Sequence, residues 1–207
     1  MKTKTFFLFI FACAVVTAAS FVSHVQADAA EEMNRLAALM QWKPGTIVAD
    51  IGAGDGRFTF AALDYVGASG KIFATELDPQ KLKELRAEVK QRNLPNVIVV
   101  ESGEADTNLP AACCDAIFLR RVYHHLTKPS EFDAKLIRSL KPDGRLAIID
   151  FPPRTGLDPV EGIPANRGGH GIPQKIVIEE LTAAGLQVEK LVNDWPDDSY
   201  CVLFVKK

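Results

Sequence analysis

The sequence predicts an α/β protein: a three-layer α/β/α sandwich around a mostly parallel sheet of seven strands whose C-terminal end turns antiparallel. Three observations predict it. Strand-like apolar runs alternate with helix-like runs from residue 46 to residue 184, and that alternation builds βα units on a parallel sheet. A tight turn through Gly52, Gly54 and Gly56 follows the first strand. The chain then closes with two strands and no helix between them.

Residues 29–40 carry Met33, Leu36, Ala37 and Met40 at helical spacing, and Lys43, Pro44 and Gly45 end that helix. Thr46 to Ile51 is the first strand, apolar on both faces as a central parallel strand should be. Phe58 to Val66 is the helix after the glycine turn, and Lys71 to Glu76 the second strand. Pro79 to Arg92 is a charged amphipathic helix with proline in its first turn. Asn96 to Glu101 and Cys114 to Leu119 are the third and fourth strands. Pro129 to Leu140 is a helix, stopped by Lys141, Pro142, Asp143 and Gly144, and Arg145 to Asp150 is the fifth strand. Gln174 to Ala184 is the last helix, stopped by Gly185. Gln187 to Val192 and Tyr200 to Val205 complete the sheet. The linker from Asn193 to Asp198 is too short for a parallel crossover, so these two strands should be antiparallel neighbours.

The 207 residues suffice for one domain with a substantial core. Hydrophobic content of 47% and charged content of 24% are ordinary for a soluble α/β protein. The net charge of −2 leaves no basic surplus for a phosphate backbone, which disfavours nucleic acid as a partner. The first 27 residues read as a signal peptide: Lys2 and Lys4, an apolar stretch from Phe6 to Ala19, and small residues Val25 and Ala27 at the cleavage positions. The expected product is an exported, periplasmic or secreted domain of residues 28–207 with no stable membrane insertion. An uncleaved anchor is the alternative, although the apolar stretch is short against the roughly 20 residues of a bilayer span. Cys113, Cys114 and Cys201 make no disulfide framework and no metal-ligand spacing; one bridge from Cys201 to either neighbour stays open.

Residues 48–58 read Val-Ala-Asp-Ile-Gly-Ala-Gly-Asp-Gly-Arg-Phe. Against the dinucleotide pattern G-x-G-x-x-G the third glycine comes one position early, and Arg57 stands where a small residue is needed for helix–strand packing. With its acid ahead of the turn, D-x-G-x-G-x-G resembles motif I of the class I S-adenosylmethionine (SAM)-dependent methyltransferases. The resemblance runs from about residue 30 to the end, and the helix-free terminal strand pair is a hallmark of that Rossmann-like sheet. It implies SAM as cofactor. The backbone at Gly52, Ala53, Gly54 and Gly56, together with Asp50, would hold its amino-acid part. Glu76, followed by Leu77, would accept from the ribose hydroxyls, whereas Asp78 precedes Pro79 and reads as a helix cap. Glu104 and Ala105 match the segment that reads the adenine edge, with a surface turn as the alternative, and Arg120 would border the cofactor.

The segment Arg120 to Leu126 resembles the small-molecule branch of the family, which implies a small-molecule or lipid-like acceptor. Adjacent His124 and His125 cannot face the same way, so they make a poor metal pair; one should face the pocket, and His124 is favoured. The loop from Phe151 to Pro173 holds Arg167 and His170 over the expected acceptor mouth, where long loops tend to bind or cover ligands. Methyl transfer mainly needs alignment of nucleophile, methyl and sulfur. A base with a pKa near the working pH, His170 or His124, is needed only if the acceptor must lose a proton. The competing readings are an exported SAM-fold binding protein without catalysis and, less favoured because of Arg57 and the chain ending, a nicotinamide-dependent oxidoreductase. Oligomeric state and acceptor atom are not fixed by the sequence.

Overall fold

The computed structural model describes residues 29–207, so the leader expected over residues 1–27 lies outside the described part. Residues 29–39 form helix α1. The order is then β1 (Ile47–Ile51), α2 (Arg57–Val66), β2 (Lys71–Glu76), α3 (Pro79–Gln91), β3 (Val97–Glu101), β4 (Cys114–Arg120), α4 (Pro129–Ser139), β5 (Leu140–Asp150), α5 (Gln174–Ala183), β6 (Gln187–Trp195) and β7 (Ser199–Val205). Short 3₁₀ turns occur at Tyr123–His125 and Ala165–Arg167.

One seven-stranded sheet has the order β3-β2-β1-β4-β5-β7-β6. Strands β1 to β5 are parallel, and β7 runs antiparallel to both β5 and β6. Because successive side chains on a strand face opposite sides, neighbouring residues sort into different cores. Val48, Ile72, Phe118 and Leu203 pack with Met33, Leu36, Phe58, Ala62 and Val66 of α1 and α2. Ala49, Phe73, Ile117, Leu119 and Val202 pack with Phe132, Leu136, Val177 and Leu181 of α4 and α5. Leu85 of α3 meets Ala74 and Val97 on the α2 side. The result is the expected α/β/α sandwich, with both sheet faces buried along the middle strands.

Two boundaries differ from the sequence reading by more than one residue, for identifiable reasons. β5 starts at Leu140 rather than Arg145: Lys141 to Gly144 stays in the ladder as a bulge, with a register shift opposite Cys114 and Ala116 and Asp143 at φ +58°. The Asp143 N–H donates to the Lys206 carbonyl at 2.8 Å, so the chain end holds open a stretch that local propensity reads as a stop. β6 continues to Trp195, leaving only Pro196 to Asp198 as the turn, with Asp197 and Asp198 both at positive φ. Cys201 is free, as are Cys113 and Cys114, and it packs in the cluster on the opposite face from Cys114. None of the described helices is long and apolar enough to cross a membrane.

Candidate functional site

A cleft of about 420 Å³ opens beyond the carboxyl ends of β1, β2 and β4, lined among others by Gly52, Gly54, Glu76, Leu77, Gly103, Glu104, Arg120, Arg121, Val122 and His125. This is where open α/β sheets bind ligands. The three glycines of the turn serve three ends. A Cβ on Gly52 would lie 2.6 Å from Val122, and one on Gly56 would lie 2.5 Å from Leu85, so both are closed by packing. Gly54, at φ +58°, has nothing within 4 Å of its missing Cβ and leaves bare backbone at the cleft.

Glu76 organises this floor. Its Oε2 accepts from Gly54 N at 2.8 Å, and Oε1 accepts from Leu77 N at 2.8 Å and Asp78 N at 2.9 Å. Asp78 in turn caps α3 by accepting from Gln80 N and Lys81 N. Leu77 stands exposed at the rim. Glu104 lines the far wall, beside a tight turn in which Gly103 N donates to Asp106 O at 2.7 Å; Ala105 is not among the lining residues.

Asp50, Ala53 and Gly56 lie behind the cleft rather than on it. Ala53 and Gly56 pack towards α3. Asp50 is buried and accepts from Thr59 Oγ1 at 2.6 Å. Burial pushes its pKa up to about 7; the Thr59 bond opposes this, while Glu76 and Asp55 add to it. In this arrangement Asp50 ties the turn to α2. Arg120 borders the cleft, but its guanidinium is already engaged: Nε meets the buried Glu32 of α1 at 2.8 Å, another nitrogen meets Asp197 at 3.2 Å, and the group lies over the Phe58 ring.

The histidine segment divides differently from the sequence reading. His125 is the one on the cleft wall, and His124 is buried behind it. The ring of His124 is fixed by Asp150 at the end of β5: Nδ1 to Oδ1 is 2.8 Å, and the His124 backbone N–H donates to Oδ2 at 3.1 Å. A carboxylate at Nδ1 selects the Nδ1–H tautomer and leaves Nε2 as an acceptor. That Nε2 is buried and has no partner. His125 lies 4.0 Å from the His124 ring and His170 5.5 Å from it, the latter nearly parallel. The protein atoms around His125, and next the neighbouring His124, hold its pKa well below the ordinary value. Among the described residues no three His, Cys, Asp or Glu side chains converge as a metal-ligand set.

The loop from Phe151 to Pro173 folds over this corner. His170 sits in it beside the dyad, its Nδ1 3.0 Å from the Asp158 carbonyl. Arg167 does not reach the cleft. Its guanidinium is buried and donates to the carbonyls of Leu126 and Tyr123, with Glu180 of α5 at 3.0 Å. The loop is thereby fastened to the 3₁₀ turn that carries the histidines, so Arg167 positions the site rather than meeting an acceptor. Sequence reasoning did not identify Asp150 as the partner of His124; an acid at a strand's carboxyl end was the available signal. Glu32, 88 residues from Arg120, gave no signal at all.

Comparison with known proteins finds methyltransferases among those similar to this chain. A family model described as a methyltransferase domain matches residues 49–148. The chain is 28% identical over 123 residues to nocamycin O-methyltransferase of Saccharothrix syringae, covering 59% of this chain and 44% of that protein. It is 27% identical over 110 residues to a ubiquinone/menaquinone biosynthesis C-methyltransferase of Marinomonas, covering 53% and 44%. The chain thus spans less than half the length of these two curated relatives. A crystal structure of a SAM-dependent methyltransferase from Aquifex aeolicus superposes with a TM-score of 0.71 at 26% identity, covering 84% of this chain and 89% of that one. The [4+2]-cyclase SpnF shares the fold, with a TM-score of 0.68 at 16% identity over 86% of this chain and 81% of the other.

Proposed function

We propose that this chain is a class I SAM-dependent methyltransferase that methylates a small-molecule acceptor outside the cytoplasm. SAM-dependent methyltransferase activity in general is supported by the family and fold matches. The single observation that carries the cofactor reading is the joint between Gly54 and Glu76: bare backbone opening on a cleft, held by a carboxylate from the next strand. The residues fit the group. Gly54 would admit its amino-acid portion beside Gly52, Glu76 would accept from a ribose hydroxyl, and Glu104 is the candidate to read the adenine edge. When bound, SAM supplies an electrophilic methyl group on a sulfonium.

The chain's own contribution to the chemistry is alignment and, for an acceptor that carries an acidic hydroxyl, removal of its proton. His124 suits that task. Asp150 orients the ring, and Nε2 is an unpartnered acceptor next to the cleft wall formed by His125. A proton leaving the acceptor would settle on Nε2, and Asp150 would stabilise the resulting imidazolium through Nδ1–H. Because Nε2 is buried, the side chains over it have to move aside when an acceptor enters. Calorimetry of the described domain with SAM and with S-adenosylhomocysteine tests the cofactor reading: saturable binding by at least one is expected, and binding of neither would sink it. The export reading has its own check. Protein recovered from its native compartment should begin at Asp28, and a retained Met1 on all molecules would refute cleavage.

A further inference from the structure

Cys113 and Cys114 are consecutive, and their Sγ atoms lie 2.9 Å apart. That separation is within about 1 Å of a disulfide bond length. Consecutive cysteines on an extended strand would point to opposite faces. Here the chain arrives through Ala112 at φ +47°, and Cys113 sits outside the strand, which brings the two sulfurs to one side. The two thiols are unequal. Cys114 is buried at the first position of β4, whereas Cys113 is only half-buried. The hydrogen bond from Cys114 holds the Cys113 thiol below its ordinary pKa, with Lys141 and Arg138 contributing, while the same contact and burial push Cys114 up. A less buried thiol with a lowered pKa beside a sheltered one is the division of labour of an exchanging pair.

The surroundings leave room for chemistry. The β4–β5 ladder is already irregular here, with its register shift between Cys114 and Ala116. The pair lies at the amino end of β4, the far end of that strand from the cleft, and is not among the residues that line it. Cys201 is buried on the opposite face of the sheet.

We propose that Cys113 and Cys114 form a redox-active vicinal dithiol whose oxidant is a disulfide. The Cys113 thiolate attacks one sulfur of the oxidant, making a mixed disulfide and expelling one thiolate. The Cys114 sulfur, losing its proton, then attacks the Cys113 sulfur, forms the Cys113–Cys114 bond and expels the second thiolate. The Cys114 proton and the one already lost from Cys113 end on the two departing thiols. The cysteine pair is oxidised by two electrons, and the oxidant is reduced to two thiols.

The test uses the full chain with Cys13→Ser and Cys201→Ser, so that only the adjacent pair remains, exposed to oxidised glutathione and read by intact mass. The expected product has lost two hydrogens, retains no glutathione, resists iodoacetamide and returns to the starting mass with dithiothreitol. Adding Cys114→Ser should trap one glutathione on Cys113, and Cys114→Ala repeats the test if serine disturbs β4. Reduced parent chain should also bind one phenylarsine oxide that a dithiol removes and a monothiol does not. Retention of glutathione by the parent chain, disulfide-linked dimers, or no mass change would each overturn the proposal. None of these readouts depends on methyl transfer.

Discussion

Glu76 accepts three backbone N–H groups before any ligand arrives. A carboxylate offers about four acceptor positions, so one remains, on Oε2. One ribose hydroxyl can therefore be bound without loss, and a second requires Leu77 N–H or Asp78 N–H to give way. Hydrogen bonds to charged groups contribute about 1.5–3 kcal/mol, so Glu76→Ala should weaken SAM binding by about 10- to 100-fold, and Glu76→Gln by less because one acceptor oxygen survives. Calorimetry checks both. Gly54→Val should abolish binding, because its side chain would enter the cleft and a β-branched residue is strained at φ +58°; circular dichroism checks that the domain stays folded. Equal SAM affinity in wild type and Gly54→Val would remove the cofactor from this turn. For the dyad, His124→Gln and Asp150→Asn should each lower methyl transfer to a hydroxyl acceptor by about 10²–10⁴-fold, the usual worth of a general base. Nitrogen-15 NMR should show the His124 proton on Nδ1; a proton on Nε2 would contradict the assignment. Of these residues Glu76 and Gly54 were legible because strand-end acid and glycine turn are local patterns. The pairing of His124 with Asp150 joins two strand ends 26 residues apart and needed the sheet.

At the scale of elements, α1 and the β6–β7 turn are both tied to the end of β4. Glu32 on α1 accepts from Arg120 Nε at 2.8 Å and from Trp195 Nε1 at 2.7 Å, with both members of the ion pair almost fully buried. Removing one partner of a buried pair costs about 3–5 kcal/mol, because the other charge is left without compensation. Arg35 and Asp194 make a second tie at 2.7 Å, but Asp194 is 85% exposed, and such screened surface pairs contribute little. Denaturant melts should therefore show Glu32→Ala destabilised by about 3 kcal/mol or more and Arg35→Ala by much less. Equal effects of the two would mean the buried pair is not the stronger tie. The elements themselves were largely legible: Lys71–Glu76 is bounded as expected, because Gly70 before it and Asp78-Pro79 after it are local punctuation. The start of β5 was not, since Lys141 to Gly144 carries turn residues and is held in the sheet by long-range bonds to Lys206, from the Asp143 N–H to its carbonyl and from its N–H to the Gly144 carbonyl. Arg167 was misplaced for the same reason, its partners Leu126, Tyr123 and Glu180 being 41, 44 and 13 residues away.

For the whole molecule, two buried carboxyls on opposite faces of the sheet set a dependence of stability on pH. Asp50 is raised to about 7, chiefly by burial. Asp133 is also raised to about 7, by burial first and then by Glu180, against the Tyr123 bond and Arg167. The geometry around Asp133 agrees: the Tyr123 hydroxyl lies 3.0 Å from Asp133 and 2.9 Å from Glu180, and its one proton cannot serve both. A proton on Asp133 can be donated back to the phenol oxygen. In the unfolded chain both acids ionise near the ordinary aspartate value of 3.8. Between about pH 4 and pH 7 the folded state thus holds protons that the unfolded state has lost, so these groups make stability fall as pH rises through that window and change little above it. A tenfold difference in proton affinity between folded and unfolded chain corresponds to about 1.4 kcal/mol, which bounds the cost of each ionised group at roughly 4 kcal/mol. Chemical denaturation of wild type, Asp50→Asn and Asp133→Asn at pH 5 and pH 8 separates the two contributions. Each variant should gain on wild type at pH 8 relative to pH 5, and the double variant should gain by the sum, because Thr59 and Tyr123 belong to separate networks. A wild-type advantage that grows towards pH 8 would reverse the sign and show both acids to be ionised and favourably held in the fold.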